Sequence, residues 1–333
     1  MKRIAVIGAG SWGTALGIVA ARSGHEVKFW SRNPAVVNSI NLDRVNSLYL
    51  PGVAVPDGVI ASQDIADALS ESELIVIATP SHATRAVLES MSGALPGNAI
   101  LVSATKGIEI ETGKRISQLV SEILGDLLTD RFVCLSGPSF AKEVVAQHPT
   151  AIVAASFNIK AASTVQSDLS TEHLRIYTND DVIGTELGGS VKNVMAIAAG
   201  MVAGLGFGAN SVAALITRGL AEMSRLALAE GGKLETMMGL AGLGDLVLTC
   251  TGSLSRNRFV GQELGKGRAL TEITAGMREV AEGVKTTRAL RLLAQRVGVE
   301  MPIAAEVYAV LYESKTVRAA ATALMSRPLR EEF

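Results

Sequence analysis

Two hydrophobic patterns divide this chain, and the division is the feature that most restricts its fold. From residue 2 to about residue 180, short β-branched runs alternate with helical segments; the runs are RIAVIG, EVKFW, ELIVIA, AILVSA, RFVCLS, AIVAA and LRIY. Strands that alternate with helices at this spacing form right-handed crossovers and a largely parallel sheet. The first half is therefore predicted to be a doubly wound α/β domain.

The second half has a different pattern. After about residue 182 the β-branched runs stop, and Ala, Leu, Glu and Arg recur at helical spacing in segments such as LITRGLAEMSRLALAEGG and AAEVYAVLYESK. A chain of 333 residues also exceeds the roughly 250 to 300 residues at which one core stops growing. We expect an all-helical second domain, with a boundary between residues 182 and 188 that divides the chain into 1–185 and 186–333.

Composition excludes several classes of protein. The formal net charge of −1 gives no basic surface for a nucleic-acid backbone. Cys134 and Cys250 are the only cysteines, and they lack the spacing of a disulfide framework or a zinc site, so no metal is expected. The start, MKRIAVIGAG, has no apolar signal-peptide core and reads as a strand. A cytoplasmic protein fits these features.

One segment is long and apolar enough to raise the question of a membrane helix. It runs from Asn193 to Ile216 but is built from Ala and Gly, with Gly200, Gly204, Gly206, Gly208 and Asn210 interrupting it. Leu and Phe would be typical of a spanning helix. We therefore expect a buried helix followed by a glycine-rich loop, and no membrane span.

A glycine turn follows the first predicted strand directly and opens a helix. In Gly8-Ala9-Gly10-Ser11-Trp12-Gly13, Gly8 permits the tight turn, Gly10 admits a pyrophosphate and Gly13 allows close packing of helix on strand. The helix N-terminus offers amide donors to the phosphates. In this strand-turn-helix context the pattern favours a Rossmann-type dinucleotide site over a purely structural turn.

The residues after the second strand bear on which dinucleotide binds. The sequence is Trp30-Ser31-Arg32-Asn33, without the acid that would hold the 2′-hydroxyl of NAD. A guanidinium can pair with the 2′-phosphate of NADP, so Arg32 favours NADP over NAD. The alternative is that Arg32 is only a solvated loop residue.

Further polar residues follow two later strands. Lys106 comes after the strand AILVSA, and Gly137 and Ser139 come after RFVCLS. Strand carboxyl ends line the crevice of such folds, so these residues are expected to face a ligand. The alternatives are a surface lysine and, for Ser139, an ordinary helix N-cap.

Lys192 is a lysine in an otherwise small and apolar helical surface, within LGGSVKNVMAIAAG. Hydride transfer to a carbonyl needs a proton donor at the substrate oxygen, and none of the four histidines lies in a promising place. Burial and a nearby positive charge lower the pKa of a lysine toward working pH. We interpret Lys192 as that group, with Lys106 as the second cation and Asp245 as the orienting partner.

The segment from Thr249 to Arg258, TCTGSLSRNR, concentrates hydroxyls, an amide and guanidinium groups. These donors are suited to a phosphate group. The alternative is a polar turn between domains.

Together these motifs resemble bacterial NAD(P)-dependent glycerol-3-phosphate dehydrogenase. The matching stretches are GAGSWGTA (8–15), TKGIE (105–109), SGPSFAKEV (136–144), KNVMAIAAG (192–200), GLAGLGDLVLTCTGSLSRNRFVG (239–261) and EGV (282–284). The resemblance covers nearly the whole chain, in order. It implies reversible reduction of dihydroxyacetone phosphate to sn-glycerol 3-phosphate, the backbone precursor of phospholipids.

The resemblance also implies roles for residues at matching positions. The cofactor, NADP or NAD, would be contacted by Ser11, Trp12, Arg32, Lys106, Ala141, Arg256, Val280 and Glu282, in addition to the glycine turn. The small-molecule substrate would be held by Lys106, Gly137, Ser139, Lys192, Asp245, Ser255, Arg256 and Asn257, with Lys192 as proton donor and acceptor. Residues 1–185 would then bind the dinucleotide, and residues 186–333 would supply substrate binding and catalysis.

Other classes remain open at this stage. β-Hydroxyacid dehydrogenases and ketopantoate reductases share the two-half organisation, but they often place lysine and asparagine one helical turn apart, whereas Lys192 and Asn193 are adjacent here. A silent NADP-sensing regulator would not need Lys192, Asp245 and Arg256 together. The apolar surface of the helical half is compatible with a homodimer, although no heptad pattern specifies one.

Overall fold

The computed structural model describes residues 1–277, 281–329 and 331–332. Its strands are β1 (Arg3–Ile7), β2 (Glu26–Trp30), β3 (Val45–Asn46), β4 (Leu50–Ala54), β5 (Ile60–Ser62), β6 (Leu74–Ile77), β7 (Ile100–Ser103), β8 (Phe132–Ser136), β9 (Thr150–Ala155) and β10 (Leu174–Asn179). Its helices are α1 (Ser11–Arg22), α2 (Pro34–Asp43), α3 (Ile65–Leu69), α4 (Ser81–Met91), α5 (Ile116–Leu124), α6 (Ala141–Val145), α7 (Ile159–Leu169), α8 (Val182–Gly204), α9 (Ala209–Ala229), α10 (Leu234–Met238), α11 (Asp245–Thr251), α12 (Arg256–Gly265), α13 (Leu270–Ala275), α14 (Glu282–Arg296), α15 (Pro302–Tyr312) and α16 (Val317–Met325). A 3₁₀ turn covers Asp126–Arg131, and a π-helical turn over Leu240–Gly244 leads directly into α11.

Eight strands form one sheet in the order β10-β9-β8-β7-β6-β1-β2-β5. All neighbouring strands are parallel except β8 and β9, which are antiparallel. The connection between these two strands is short and contains only the five-residue helix α6, so no crossover to a parallel position is made. The predicted doubly wound, mainly parallel sheet is confirmed.

All seven predicted β-branched runs are strands of this sheet. The prediction missed β3, β4 and β5. Two of them are only two and three residues long, and the third, LPGVA, contains Pro and Gly, which are depleted in strands. The ribbon of β3 and β4 lies outside the main sheet.

The central strands are buried on both faces, as expected for a parallel sheet covered by helices. Consecutive residues such as Val6, Ile7, Ile75 and Val76 are at most 1% exposed. Separate apolar clusters cover the two faces, and a third fills the helical half. The strand order reverses beside β1, whose two neighbours are β2 and β6. Ligands of doubly wound folds bind at the carboxyl edge of the sheet at such a point.

Beyond Val182, the described part of the chain forms α8 to α16 and contains no strand, which confirms the predicted all-helical half. Helix α8 is long and apolar enough to cross a membrane, but 83% of its most apolar window is buried inside the protein. It is the central helix of the second half. The division at residues 185 and 186 remains a proposal; α8 itself begins at Val182, where the Asp181 side chain accepts the amide of Gly184 at 2.8 Å.

Glycines let α8 and α12 cross with their backbones in contact. A Cβ atom on Gly200 would lie 2.0 Å from the carbonyl oxygen of Arg258, and one on Gly261 would lie 1.9 Å from that of Ile197. Gly204 and Gly265 continue the contact one turn further along each helix. Two of the glycines that argued against a membrane span, Gly200 and Gly204, are therefore packing residues, and they place the N-terminus of α12 beside the middle of α8.

We expect Gly261→Ala to lower the melting temperature by roughly 5 to 10 °C, because the added methyl must push two backbones apart. Calorimetry or circular dichroism measures the change. The matched control is Gly93→Ala, where nothing lies within 4 Å of the new Cβ atom. Equal melting temperatures for the two variants would contradict the close crossing.

Candidate active site

A cavity of about 440 Å³ lies between the carboxyl edge of the sheet and the helical half. The structure brings most of the sequence-predicted residues to its wall: Gly8, Gly10, Ser11, Trp12, Arg32, Lys106, Ser139, Lys192, Ser255, Arg256, Asn257 and Glu282. Gly13, Gly137, Ala141 and Asp245 are absent from the wall. Val280 lies outside the described residues.

The glycine turn forms one end of this cavity. Gly8 has a φ of +111°, and a Cβ there would lie 2.8 Å from the carbonyl oxygen of Ala78, so only glycine fits. Gly10 precedes α1 with no side-chain cap on the helix, and no heavy atom outside its chain neighbours lies within 4 Å of where its Cβ would be. Gly13 packs against the turn, since its Cβ would lie 2.0 Å from the Gly8 oxygen.

These features fit a dinucleotide. Gly10, Ser11 and Trp12 at the start of α1 line the cavity, and the helix has no side-chain cap, so its first-turn amides are available to a phosphate group. The indole nitrogen of Trp12 is buried and has no hydrogen-bond partner among the described residues, while the Ser11 hydroxyl donates to the Tyr49 carbonyl at 2.5 Å. Arg32, just after β2, is exposed on the cavity wall at the same end.

Two lysines on the cavity wall share a carboxylate that is buried behind the wall. Lys106 Nζ donates to Asp245 Oδ2 at 2.8 Å, and Lys192 Nζ donates to Asp245 Oδ1 at 2.5 Å. Asp245 is fully buried and Lys192 is 7% exposed. The three residues come from the loop after β7, from α11 and from α8, so the fold assembles the cluster that the sequence predicted.

Burial and charge set the protonation of this cluster. Loss of solvation lowers the pKa of Lys192 to about 8; the neighbouring Asp245 opposes this change, and Lys106 adds to it. Burial alone would raise the pKa of Asp245, but the two ammonium groups together lower it below its ordinary value. The site therefore holds a carboxylate and a lysine that can exchange its proton near neutral pH.

Thr249 is a second hydrogen-bond acceptor for Lys192 and was not predicted as a site residue. Its hydroxyl accepts from Lys192 Nζ at 2.8 Å and donates to the carbonyl oxygen of Asp245 at 2.6 Å. It lies four residues after Asp245 on α11, on the same helix face. That spacing was the available signal, but the threonine was assigned to the phosphate-binding segment instead.

The turn after β8 supplies a backbone acceptor. Gly137 has a φ of +129°, and its carbonyl accepts from Lys106 Nζ at 2.8 Å and from the Ser139 hydroxyl at 3.0 Å. Ser139 does not cap the following helix; Phe140 occupies the N-cap position of α6 without a side-chain bond. Ala141 is the first residue of α6, next to the cavity-lining Phe140.

The start of α12 forms the wall opposite the sheet. The Ser255 hydroxyl caps the helix by accepting the amide of Arg258 at 3.2 Å, and Arg256 lines the cavity. Asn257 donates to the Asn193 side chain at 2.9 Å and accepts the amide of Gly283 at 2.9 Å. The predicted donor segment is thus the end of α11, a short connection and the first turn of α12, rather than a polar turn between domains.

Asn193 is a second residue that sequence reasoning passed over as a site residue. Its amide nitrogen donates to the carbonyl oxygen of Gly189 at 3.3 Å and approaches that of Lys106 at 3.5 Å. Its neighbour Lys192 drew attention as a charge, whereas an amide next to it has many structural uses. The side chain joins Asn257 to the loop that carries Lys106.

Glu282 connects the two halves across the cavity rim. The Ser81 hydroxyl, at the start of α4, donates to Glu282 Oε2, at the start of α14, over 2.7 Å. Glu282 is therefore in place on the cavity wall, although its bond to Ser81 was not predicted.

Comparison with protein families gives two matches along the chain. Residues 3–162 match the family described as NAD-dependent glycerol-3-phosphate dehydrogenase N-terminus, and residues 181–322 match the corresponding C-terminus. Proteins named glycerol-3-phosphate dehydrogenase [NAD(P)+] from Koribacter versatilis and Trichlorobacter lovleyi are each 53% identical to this chain. The first alignment covers 100% of this chain and 99% of the relative, and the second covers 99% of both.

Solved structures also include a similar glycerol-3-phosphate dehydrogenase. A glycerol-3-phosphate dehydrogenase from Coxiella burnetii superposes with a TM-score of 0.94 at 40% identity, over 98% of this chain and 99% of that one. A 2-dehydropantoate 2-reductase from Geobacter metallireducens reaches a TM-score of 0.60 at 14% identity, over 94% and 100% of the two chains. This second similarity shows a shared fold alone.

We expect Asp245→Asn to destabilise the protein by about 3 to 5 kcal/mol at pH 7, because the buried ammonium of Lys192 and the partly buried ammonium of Lys106 lose their counter-charge. The pKa of Lys192 in the folded variant then falls further below the value in the unfolded chain. Unfolding of the variant therefore takes up more protons than unfolding of the wild type, so the variant gains stability relative to the wild type as pH rises. The difference in melting temperature between this variant and the wild type should therefore narrow between pH 7 and pH 9.

Asp181→Asn, which removes a charge from the cap of α8, should show a deficit in melting temperature that does not change with pH. A deficit of Asp245→Asn that is equally constant would contradict the charge sharing.

Proposed function

This chain belongs to the NAD-dependent glycerol-3-phosphate dehydrogenase family, and we propose that the cavity between its halves is where it carries out the family's reaction. The enzyme reduces dihydroxyacetone phosphate to sn-glycerol 3-phosphate with NAD(P)H, reversibly, and so supplies the backbone of phospholipids. The observation that supports this location is that one cavity is lined both by the glycine turn and by Lys106 and Lys192, the two lysines that share the buried carboxylate of Asp245.

The dinucleotide would be held by the first half and by the rim of the second. The amides at the start of α1 would bind the pyrophosphate, with Trp12 alongside, and Arg32 would bind the adenosine end. Glu282 would contribute from the start of α14, and the family roles of Ala141, Val280 and Arg256 stay proposals. When bound, the nicotinamide exchanges a hydride with C2 of the substrate.

Lys192 would move the proton. In the reducing direction its ammonium donates a proton to the oxygen on C2, where negative charge develops, and in the oxidising direction the neutral amine removes it. A pKa of about 8 places both forms within the working range of a cytoplasmic enzyme. A positioned donor of this kind contributes on the order of 10² to 10⁴ in rate.

Lys106 and Asp245 would keep Lys192 in position and tune its charge. The carboxylate holds both ammonium groups, and Lys106 is fixed a second time by the Gly137 carbonyl. Thr249 accepts from Lys192, which leaves that lysine's remaining hydrogen for the substrate. The cluster is therefore organised before the substrate arrives.

The start of α12 would hold the phosphate group of the substrate. Arg256 is a guanidinium on the cavity wall, and Asn257 and Ser255 are the neighbouring polar residues in the first turn and cap. Binding energy from the phosphate, away from the reacting carbon, helps to align that carbon with the proton donor. An unphosphorylated ketone would lack this contribution.

We further propose a cytoplasmic location, a preference for NADP and a homodimer. Cys134 and Cys250 are buried free thiols, which suits a reducing compartment. Arg32 supports NADP for the reason already given. The helical half exposes large apolar side chains such as Phe207, Met238 and Phe259, which suit an interface between copies.

We expect Lys192→Ala to reduce kcat for dihydroxyacetone phosphate at least 10²-fold while the dissociation constant of NADPH stays within twofold. Loss of NADPH absorbance measures the first quantity, and quenching of tryptophan fluorescence measures the second. Lys266→Ala is the control, since Lys266 is exposed, pairs with Glu263 and does not line the cavity. Near-normal turnover in Lys192→Ala would remove this lysine from the mechanism.

The pH dependence should differ between the two directions. Reduction needs protonated Lys192, so its kcat/KM should fall as pH rises through about 8, while oxidation of sn-glycerol 3-phosphate needs the neutral amine and should rise over the same range. Initial rates between pH 6 and pH 10 test this. Parallel profiles in both directions would contradict the assignment.

We expect Arg32→Ala to raise KM for NADPH about tenfold or more and to change KM for NADH by less than threefold, because only NADPH carries the 2′-phosphate. Initial rates with both cofactors at saturating dihydroxyacetone phosphate give the values. An equal rise for both cofactors would mean that Arg32 does not recognise the 2′-phosphate.

A further inference from the structure

The segment that carries Lys106 belongs to the first half in sequence but is partly embedded in the second. We call residues 104–115, between β7 and α5, the strap. Lys106 lies near its beginning, and Ile108 is fully buried in the apolar core of the helical half. Arg115 ends the strap. The position of Lys106 in the cavity therefore depends on how the strap is fixed to the helices.

A buried carboxylate on α8 holds the far end of the strap. Glu186 accepts from Arg115 Nη1 at 2.8 Å, from the Ser117 amide at 2.7 Å and from the Ser117 hydroxyl at 2.6 Å. Glu186 is 6% exposed and Arg115 is 7% exposed. Arg115 Nε also lies 3.5 Å from Glu230 Oε2. We call Glu186, Arg115 and Ser117 the buried node.

The strap and α8 are thus joined at two places. At one end the strap's Lys106 meets Lys192 of α8 through Asp245, and at the other end the strap meets Glu186 of α8 in the buried node. Glu186 and Lys192 are six residues apart on one helix, which is about 9 Å along its axis. A rigid helix therefore relates the node to the proton donor.

Other anchors tie the strap to different helices. Glu109 is paired with Arg85 of α4 at 2.6 Å, and Arg296 of α14 donates to the carbonyl oxygens of Thr112 and Gly113 at 3.3 and 3.5 Å. The remaining polar link from the strap to α8 that the described residues show is the 3.5 Å approach of Asn193 to the Lys106 carbonyl. Among the described residues, the buried node therefore makes the shortest direct hydrogen bond between the strap and α8, from Arg115 to Glu186.

A buried ion pair is a costly way to add stability, because replacing such a pair with apolar groups is often neutral or stabilising. A pair of this kind can instead specify one arrangement among several. We propose that Glu186 is a positioning residue, which holds the strap on α8 so that the Lys106 ammonium meets Asp245 beside Lys192. This role deepens the proposed function, since it acts through the same lysine cluster.

The test compares Glu186→Gln with Glu222→Gln. Glu222 is a matched control: it is a glutamate of the same half, 3% exposed, that accepts the backbone amide of Ile303 at 2.7 Å and does not contact the strap. Melting temperature, kcat and KM for dihydroxyacetone phosphate, and the pH profile of reduction are measured for the full-length wild type and both variants. The control accounts for the general effect of replacing a buried glutamate that accepts hydrogen bonds.

We expect both variants to melt at lower temperature, but only Glu186→Gln to lower kcat, about tenfold. In the pH profile of reduction, the alkaline limb is the range in which the rate falls as pH rises. For Glu186→Gln this limb should lie about half a pH unit higher, because Lys106 moves away from Lys192 and its positive charge no longer lowers the pKa of Lys192 as strongly. The other groups that act on Lys192 are Asp245 and Cys250, both on α11 and untouched by the change. Simple removal of the negative charge of Glu186 would shift the limb the opposite way.

Ser117→Ala provides a milder second variant, which keeps the ion pair and removes one hydrogen bond to Glu186. It should change kcat and the limb in the same direction by a smaller amount, and it serves as the test if Glu186→Gln does not fold. If the wild-type limb lies near pH 8 and neither variant moves it or lowers kcat beyond the control, the node is merely structural and the proposal is wrong. A wild type without this limb would contradict the role of Lys192 itself, and the Glu186 proposal with it.

Discussion

The site depends on one buried carboxylate that has two ammonium partners. Asp245 cannot fully compensate two positive charges that have both lost much of their hydration, so one of the lysines must hold its proton less firmly. That lysine is Lys192, which is the more deeply buried of the two. The excess of positive charge makes the cluster less stabilising, but it also lets Lys192 release its proton at working pH.

Close backbone packing makes this arrangement possible. Lys192 lies on the central helix of the second half, and Asp245 follows a π-helical turn whose Gly242 is packed so tightly that a Cβ would lie 2.1 Å from the Met237 carbonyl oxygen. Gly188, on α8, meets the Ala241 carbonyl oxygen in the same way, at 2.4 Å from its Cβ position. A lysine and an aspartate can bond at 2.5 Å because their two helices approach so closely.

The sequence predicted the fold, and it pointed to many of the residues that the structure places on the cavity wall, for identifiable physical reasons. Periodicity reveals strands and helices, and glycines before a helix indicate a phosphate site, so the main sheet and the wall near Gly8 were predictable. A lysine on an apolar helix face is conspicuous because its charge must be balanced, which led to Lys192. Thr249 and Asn193 were not recognised because uncharged polar residues on helices have many uses that only packing distinguishes. The pairing of β8 with β9 depends on a connection whose geometry no periodicity encodes.

Lys192 also shows what the proposed proton transfer would require of the fold. Its pKa is lowered from 10.5 to about 8, so the folded protein disfavours the charged amine relative to the unfolded chain by about 3 kcal/mol. Below pH 8 the protein carries that full cost, and the cost disappears as pH rises from 8 toward 10.5, since only the unfolded chain then retains the proton. The charged form is nevertheless the one that our proposed mechanism uses in reduction. The apolar packing of α8 against its neighbours, with Val191, Val194 and Met195 fully buried, must therefore stabilise a helix that carries an unfavourable cation at its centre.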